Sequence, residues 1–211
     1  MTVDSVMLTA RRLECFLSSM TVLLIAAVVL TLRVLGSAAV AERLIDVKRS
    51  TVTIRVFIDG PLPGFADDHV VIQAPLLEGS LGVPAAPHLQ LSMDARKMRV
   101  VGAGLSAKER LEIQTRTLGP DVLDVKESPF ISYHSLAIEP LGANQWIVRG
   151  ELGLHRHVRP HDVTVLRQSN RYKGSTTFRQ SDFGIEPTSI AGGTARVKDE
   201  ITVDFDIVTE G

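Results

Sequence analysis

Residues 201–207 read Ile201-Thr202-Val203-Asp204-Phe205-Asp206-Ile207, and this alternation decides the fold class. Successive side chains on a strand point to opposite faces. Ile201, Val203, Phe205 and Ile207 therefore share one face, and Thr202, Asp204 and Asp206 share the other. One face is made for burial and the other for water, which is the signature of an antiparallel sheet or a barrel wall.

The same period of two recurs upstream. Val52, Ile54, Val56 and Ile58 alternate with Thr51, Thr53, Arg55 and Phe57. Leu89, Leu91 and Met93 alternate with His88, Gln90 and Ser92, and Trp146, Val148, Leu152 and Leu154 stand opposite Ile147, Arg149 and Glu151. Further strands are expected over 69–73, 130–138, 162–168 and 171–178. Turn-like breaks separate them: Pro61-Leu62-Pro63-Gly64, Pro140-Leu141-Gly142-Ala143-Asn144 and Ser169-Asn170. Short strands with turns between them predict a sandwich or a barrel.

One segment departs from this period. Ser106-Ala107-Lys108-Glu109 is a capping box: the Ser106 hydroxyl can accept from the Glu109 amide while the Glu109 carboxylate accepts from the Ser106 amide. Leu111 and Leu118 follow seven apart, and Gly119-Pro120 ends the run, so a helix is predicted over 107–118. No Pro/Ser/Gly-rich linker and no internal repeat divides residues 42–211, which are read as one domain.

Composition narrows the partners. The chain has 211 residues, a formal net charge of −1, 45% apolar residues and 5% aromatics. Near-neutral charge without a run of like charges gives no electrostatic basis for binding nucleic acid. Cys15 is the single cysteine, which excludes an intramolecular disulfide. At the N-terminus, Arg11-Arg12 precede the uncharged run 21–32, and small residues follow through Ala39-Val40-Ala41. Basic, apolar and small regions in that order describe an export signal cleaved between Ala41 and Glu42. The run is shorter than the roughly 20 residues that cross a bilayer core. Residues 1–41 are read as this signal, with an uncleaved anchor as the alternative, and Met7 is a second possible start. Cleavage would leave a soluble domain in the periplasm.

Several stretches, in order, resemble the YceI-like family of polyisoprenoid-binding proteins. They are 46–58 (DVKRSTVTIRVFI), Phe65-Ala66-Asp67-Asp68-His69, 118–125 (LGPDVLDV) with 128–135 (SPFISYHS), 148–154 (VRGELGL) with His155 and Pro160, 179–185 (RQSDFGI) and 197–203 (VKDEITV). The resemblance implies an all-β fold: a single extended, antiparallel, eight-stranded lipocalin-like β-barrel with one short helical insertion. It also implies an apolar cavity holding a polyisoprenoid or quinone-type lipid and no other cofactor. On the apolar faces described above, Ile54, Val56, Leu91, Trp146, Val148, Leu152, Phe178, Val203 and Phe205 are the residues expected to line it. Two departures fall in loops: Asp67 stands where relatives often have histidine, and Arg156-His157 occupies a turn that usually contains glycine.

Catalytic and metal readings compete with this one. His155 and His157, one residue apart, could lie on the same side of a strand with His161 nearby. They fall instead in the turn of an expected hairpin, where polar residues face water. Asp67-Asp68-His69 reads as a turn entering a strand, and Asp182 as an Asx turn on its own loop. There is no Gly-x-Ser-x-Gly, and Gly192-Gly193 is not followed by Gly-Lys-Ser/Thr or a helix. The sequence is thus read as a non-enzyme without a metal site, a periplasmic carrier or sequestering protein for an apolar lipid. A ligand-free interaction module of the cell envelope and a metal-dependent hydrolase are the alternatives.

Overall fold

The computed structural model describes residues 42–60, 69–82, 87–102, 105–190 and 195–210. The leader, Ala41, Asp67-Asp68 and Gly192-Gly193 lie outside them. In chain order the strands are β1 (Glu42–Leu44), β2 (Thr51–Asp59), β3 (His69–Gln73), β4 (Leu76–Gly82), β5 (Leu89–Asp94) and β6 (Arg99–Val101). Helix α1 (Ala107–Leu118) follows, and then β7 (Phe130–Gly142), β8 (Gln145–Leu154), β9 (His157–Pro160), β10 (Val163–Gln168), β11 (Arg171–Arg179), β12 (Ser189–Ile190) and β13 (Ala195–Val208).

All of the described strands join one antiparallel sheet, in the order β1-β4-β5-β7-β8-β10-β11-β13-β2-β3-β6, with β9 on β8 and β12 on β13. The all-β class with one helix agrees with the sequence reading, but the strand count does not: the sheet has 13 strands rather than eight. Three features account for the difference. β9 and β10 are one course broken at His161-Asp162, and β11 and β12 are separated by the 3-10 turn Gln180–Phe183. Beyond β13, strands β2, β3 and β6 also extend the sheet as a wing. The course from β1 to β13 does pass through eight strands, and it curls until Ile45 bridges Thr209. There the Asp46 amide donates to the Val208 carbonyl at 2.8 Å and the Glu210 amide donates to the Leu44 carbonyl at 2.9 Å.

Period-two patterning explains which face lies inside the curl. On β2 and β13, Val203 pairs with Ile54 and Phe205 with Val52, so their apolar faces coincide. The opposite face carries ion pairs: Arg55 with Asp204 at 2.6 Å, Arg171 with Asp206 at 2.7 Å, and Arg149 with Glu139 at 2.8 Å. β7 changes parity midway. Its inward residues are Ile131 and Tyr133 and then Ile138 and Pro140, because the register shifts between Ser135 and Ala137. Leu136, the residue at that bulge, is 67% exposed.

The helix forms where the capping box placed it. The Glu109 amide donates to Ser106 Oγ at 3.2 Å, and the Ser106 amide donates to Glu109 Oε2 at 2.8 Å. Gly119 ends the helix in extended rather than left-handed conformation, with φ −74°. Of the two leucines seven apart, Leu118 packs on the core and Leu111 does not; Ile113 also packs on the core. Gln114 ties α1 to the sheet edge. Its Oε1 accepts from the Val100 amide at 2.7 Å, and its Nε2 donates to the Met98 carbonyl at 2.8 Å. The helix thus covers β6, an edge whose open amides would otherwise invite pairing with another chain.

Candidate functional site

The curled sheet encloses an apolar cavity of about 510 Å³. Ile54 and Val56 of β2, Leu91 of β5, Trp146, Val148 and Leu152 of β8, Phe178 of β11, and Val203 and Phe205 of β13 all line it. Alternation had put eight of these on apolar faces, with Phe178 at the end of the strand expected over 171–178, and the curl turns those faces toward a common space.

Two of the inward glycines are each covered by an aromatic ring from the neighbouring strand. Gly174 lies directly opposite Phe205, whose ring occupies the space a Cβ at residue 174 would take. A Cβ at Gly150 would come within 2.5 Å of the Tyr133 hydroxyl. Tyr133 lies across Gly150, and its hydroxyl donates between the carbonyls of Val148 and His161, 3.1 Å from each. Its buried oxygen is thereby satisfied, and burial pushes its phenol pKa well up.

The sequence reading missed the polar lining. His161 breaks the β9–β10 course and turns its ring into the cavity, where Nε2 meets Thr176 Oγ1 at 2.8 Å and the ring edge packs on Phe178 at 5.7 Å. Burial holds its pKa below the ordinary histidine value, with Asp162 acting weakly in the other direction. Arg43 and Arg167 also line the cavity, and both side chains are exposed. No aspartate or glutamate contributes to the described lining.

The two ends of the cavity differ. Its exposed lining residues are Arg43, Pro87, Pro140 and Arg167. Strand register places all four at the end that carries the β7–β8 and β10–β11 turns, since Pro140 pairs with Trp146, Arg167 with Tyr172, and Arg43 with Leu81. That end is the mouth. At the other end Leu123, Leu154, Gln180 and Ile185 are buried, and Gln180 Nε2 donates to the Lys198 carbonyl at 2.8 Å.

The histidines of the expected hairpin turn behave differently from the sequence reading. His155 and Arg156 form a two-residue turn with φ 48° and φ 62°, the left-handed geometry of a tight hairpin. The rings of His155 and His157 do not simply face water. Both are half-buried and stacked at 6.1 Å, against the 3-10 turn after β11. His155 Nδ1 donates to the Phe183 carbonyl at 3.0 Å, and His157 Nδ1 donates to the His155 carbonyl at 2.8 Å. The reason is Gly184, whose φ of 72° and missing Cβ let the His157 ring approach within 2.9 Å of where a Cβ would stand. Among the described residues, no three His, Cys, Asp or Glu side chains form a group that could hold a metal ion. Asp182 sits within the 3-10 turn, and the carboxylate holding this loop is Asp199, which accepts from the Ser181 amide at 2.9 Å and hydroxyl at 2.7 Å.

Comparison with known proteins agrees with this architecture. The family model described as a YceI-like domain matches residues 45–209. BcnA of Burkholderia cenocepacia has a similar structure, with a TM-score of 0.56 and 19% identity over 79% of this chain and 99% of that one. A polyisoprenoid-binding domain from Saccharophagus degradans, implicated in plant cell wall breakdown, superposes with a TM-score of 0.52 and 15% identity, covering 82% of this chain and 99% of its own. At these identities the likenesses speak for the fold. A search of curated protein sequences finds no significant match.

Proposed function

This chain belongs to the YceI-like family, and from that membership we propose that it is a non-catalytic binding protein that carries or sequesters a polyisoprenoid or similar apolar lipid in the bacterial periplasm. The observation that carries this reading is the cavity, whose volume of about 510 Å³ falls within the ~300–1,000 Å³ typical of small-molecule sites. A packed core would fill such a space with its own side chains, because protein interiors leave few voids larger than a water molecule. A prenyl chain suits the lining, since each buried CH₂ contributes about 0.8 kcal/mol before the costs of association. Export is supported by the basic, apolar and small-residue order ahead of Glu42.

Native mass spectrometry of the protein purified from its own host, with organic extraction of the same sample, tests the proposal. A stoichiometric prenyl lipid is the expected result. A protein mass with nothing bound favours an interaction module, and stoichiometric zinc favours the metal reading; either result overturns the carrier assignment.

A further inference from the structure

We propose that the lipid held by this chain has an anionic head group, phosphate or carboxylate, that sits at the mouth between Arg43 and Arg167. The inference rests on the lipid-binding reading above and adds the chemistry of the ligand's polar end.

Three observations carry it. The first is the sign of the lining. Across the whole described wall the full charges are Arg43 and Arg167, with no carboxylate among them. The second is position. Both arginines lie on inward-facing positions of the open rim and not in the apolar interior. They also share one stretch of that rim. The Leu44 carbonyl, next to Arg43, accepts from the Glu210 amide, and the Thr209 carbonyl accepts from Asn170 Nδ2 in the turn that follows Arg167. A ligand whose tail enters past Thr209 therefore leaves its head beside both cations.

The third observation is that neither cation is neutralised by an acid of the fold. On the outer face Arg55, Arg149 and Arg171 are each paired with an acid. Arg167 donates from Nε to the Ser169 carbonyl at 2.8 Å, which fixes the guanidinium at the rim. No carboxylate pairs with it, or with Arg43, among the described residues. Guanidinium groups bind phosphate and carboxylate through paired N–H donors, so these two form a receptor for an anion at the end of an apolar tube.

Equilibrium binding of tritiated farnesol, farnesoic acid and farnesyl phosphate to the purified protein tests this, with the tail held constant. The anionic ligands are expected to bind about tenfold or more tightly than the alcohol at low salt, with the advantage shrinking as salt rises. The double variant Arg43→Gln/Arg167→Gln is expected to lose that advantage, its affinity for the anions falling at least about tenfold more than its affinity for farnesol. A stronger hold on phosphate than on carboxylate would mark the double charge as the feature read, and equal affinities a single charge; both support the assignment. Equal binding of alcohol and anions, or a double variant that still prefers the anions, overturns the head-group proposal and leaves lipid binding intact. Failure of all three ligands to bind overturns the lipid reading itself.

Discussion

His161 gives the cavity wall a pH dependence of its own. Its imidazole is half-buried against Thr176 and Phe178, and burial depresses its pKa in the folded protein. The unfolded chain, with an ordinary histidine pKa of about 6.5, therefore binds a proton that the folded chain resists. Stability from this group is fully present above the unfolded value and is lost as pH falls through that value toward the folded one. Urea midpoints are expected to drop between pH 7.5 and pH 5.5, and His161→Gln is expected to flatten this part of the profile; an unchanged slope would show that another group titrates. Gly174 makes a second prediction. Gly174→Ala drives a methyl into the Phe205 ring and the Thr164 carbonyl, and overpacking of this kind costs about 1–3 kcal/mol by denaturant unfolding. Inward apolar residues such as Val203 were legible in the sequence because alternation alone specifies them. His161 was not, because its inward turn depends on a break in the strand and on Thr176, fifteen residues away.

At the scale of elements, the legible parts are those whose signal is local. Helix α1 was legible, with both ends, because the capping box and its terminator lie within fifteen residues of sequence. The parity change of β7 was not legible, because a bulge is defined by its partner: Ser135 pairs with Gly150 and Ala137 with Arg149, and nothing within 130–138 announces the skip. The wing of β2, β3 and β6 also depends on long-range pairing. Two predictions belong here. Ser106→Ala removes the acceptor for the Glu109 amide and is expected to cost about 1 kcal/mol. Faster hydrogen exchange should then appear in α1 and at Val100, whose amide donates to Gln114. The β8–β9 turn holds Arg156 at φ 62°, where a side chain is strained and glycine is not. Arg156→Gly is expected to raise stability by up to about 1 kcal/mol, less whatever the Arg156–Asp124 pair, with Arg156 exposed and Asp124 largely covered, contributes at 3.6 Å. A lower melting temperature would show that the ion pair outweighs the relieved strain.

At the scale of the whole molecule, a curled sheet whose described lining is buried at one end and exposed at the other makes an apolar pocket with a charged lip. If the protein is exported as proposed, N-terminal sequencing of the periplasmic form should begin at Glu42; a chain retaining residues 1–41 would instead be anchored. The central claim, that the cavity is where the lipid lies, is tested most directly at Val203. Its side chain lines the cavity between Ile54 of β2 and Thr176 of β11. An indole there would occupy the volume of the tail. The measurement is lipid content beside thermal unfolding for the wild type, a lipid-stripped wild type and Val203→Trp. The stripped control is needed because bound ligand alone raises apparent stability. The account predicts that Val203→Trp stays folded, melts near the stripped wild type and carries no lipid. A folded Val203→Trp that still carries a full complement of lipid would contradict it, as would a wild type without lipid beside a variant that fails to fold.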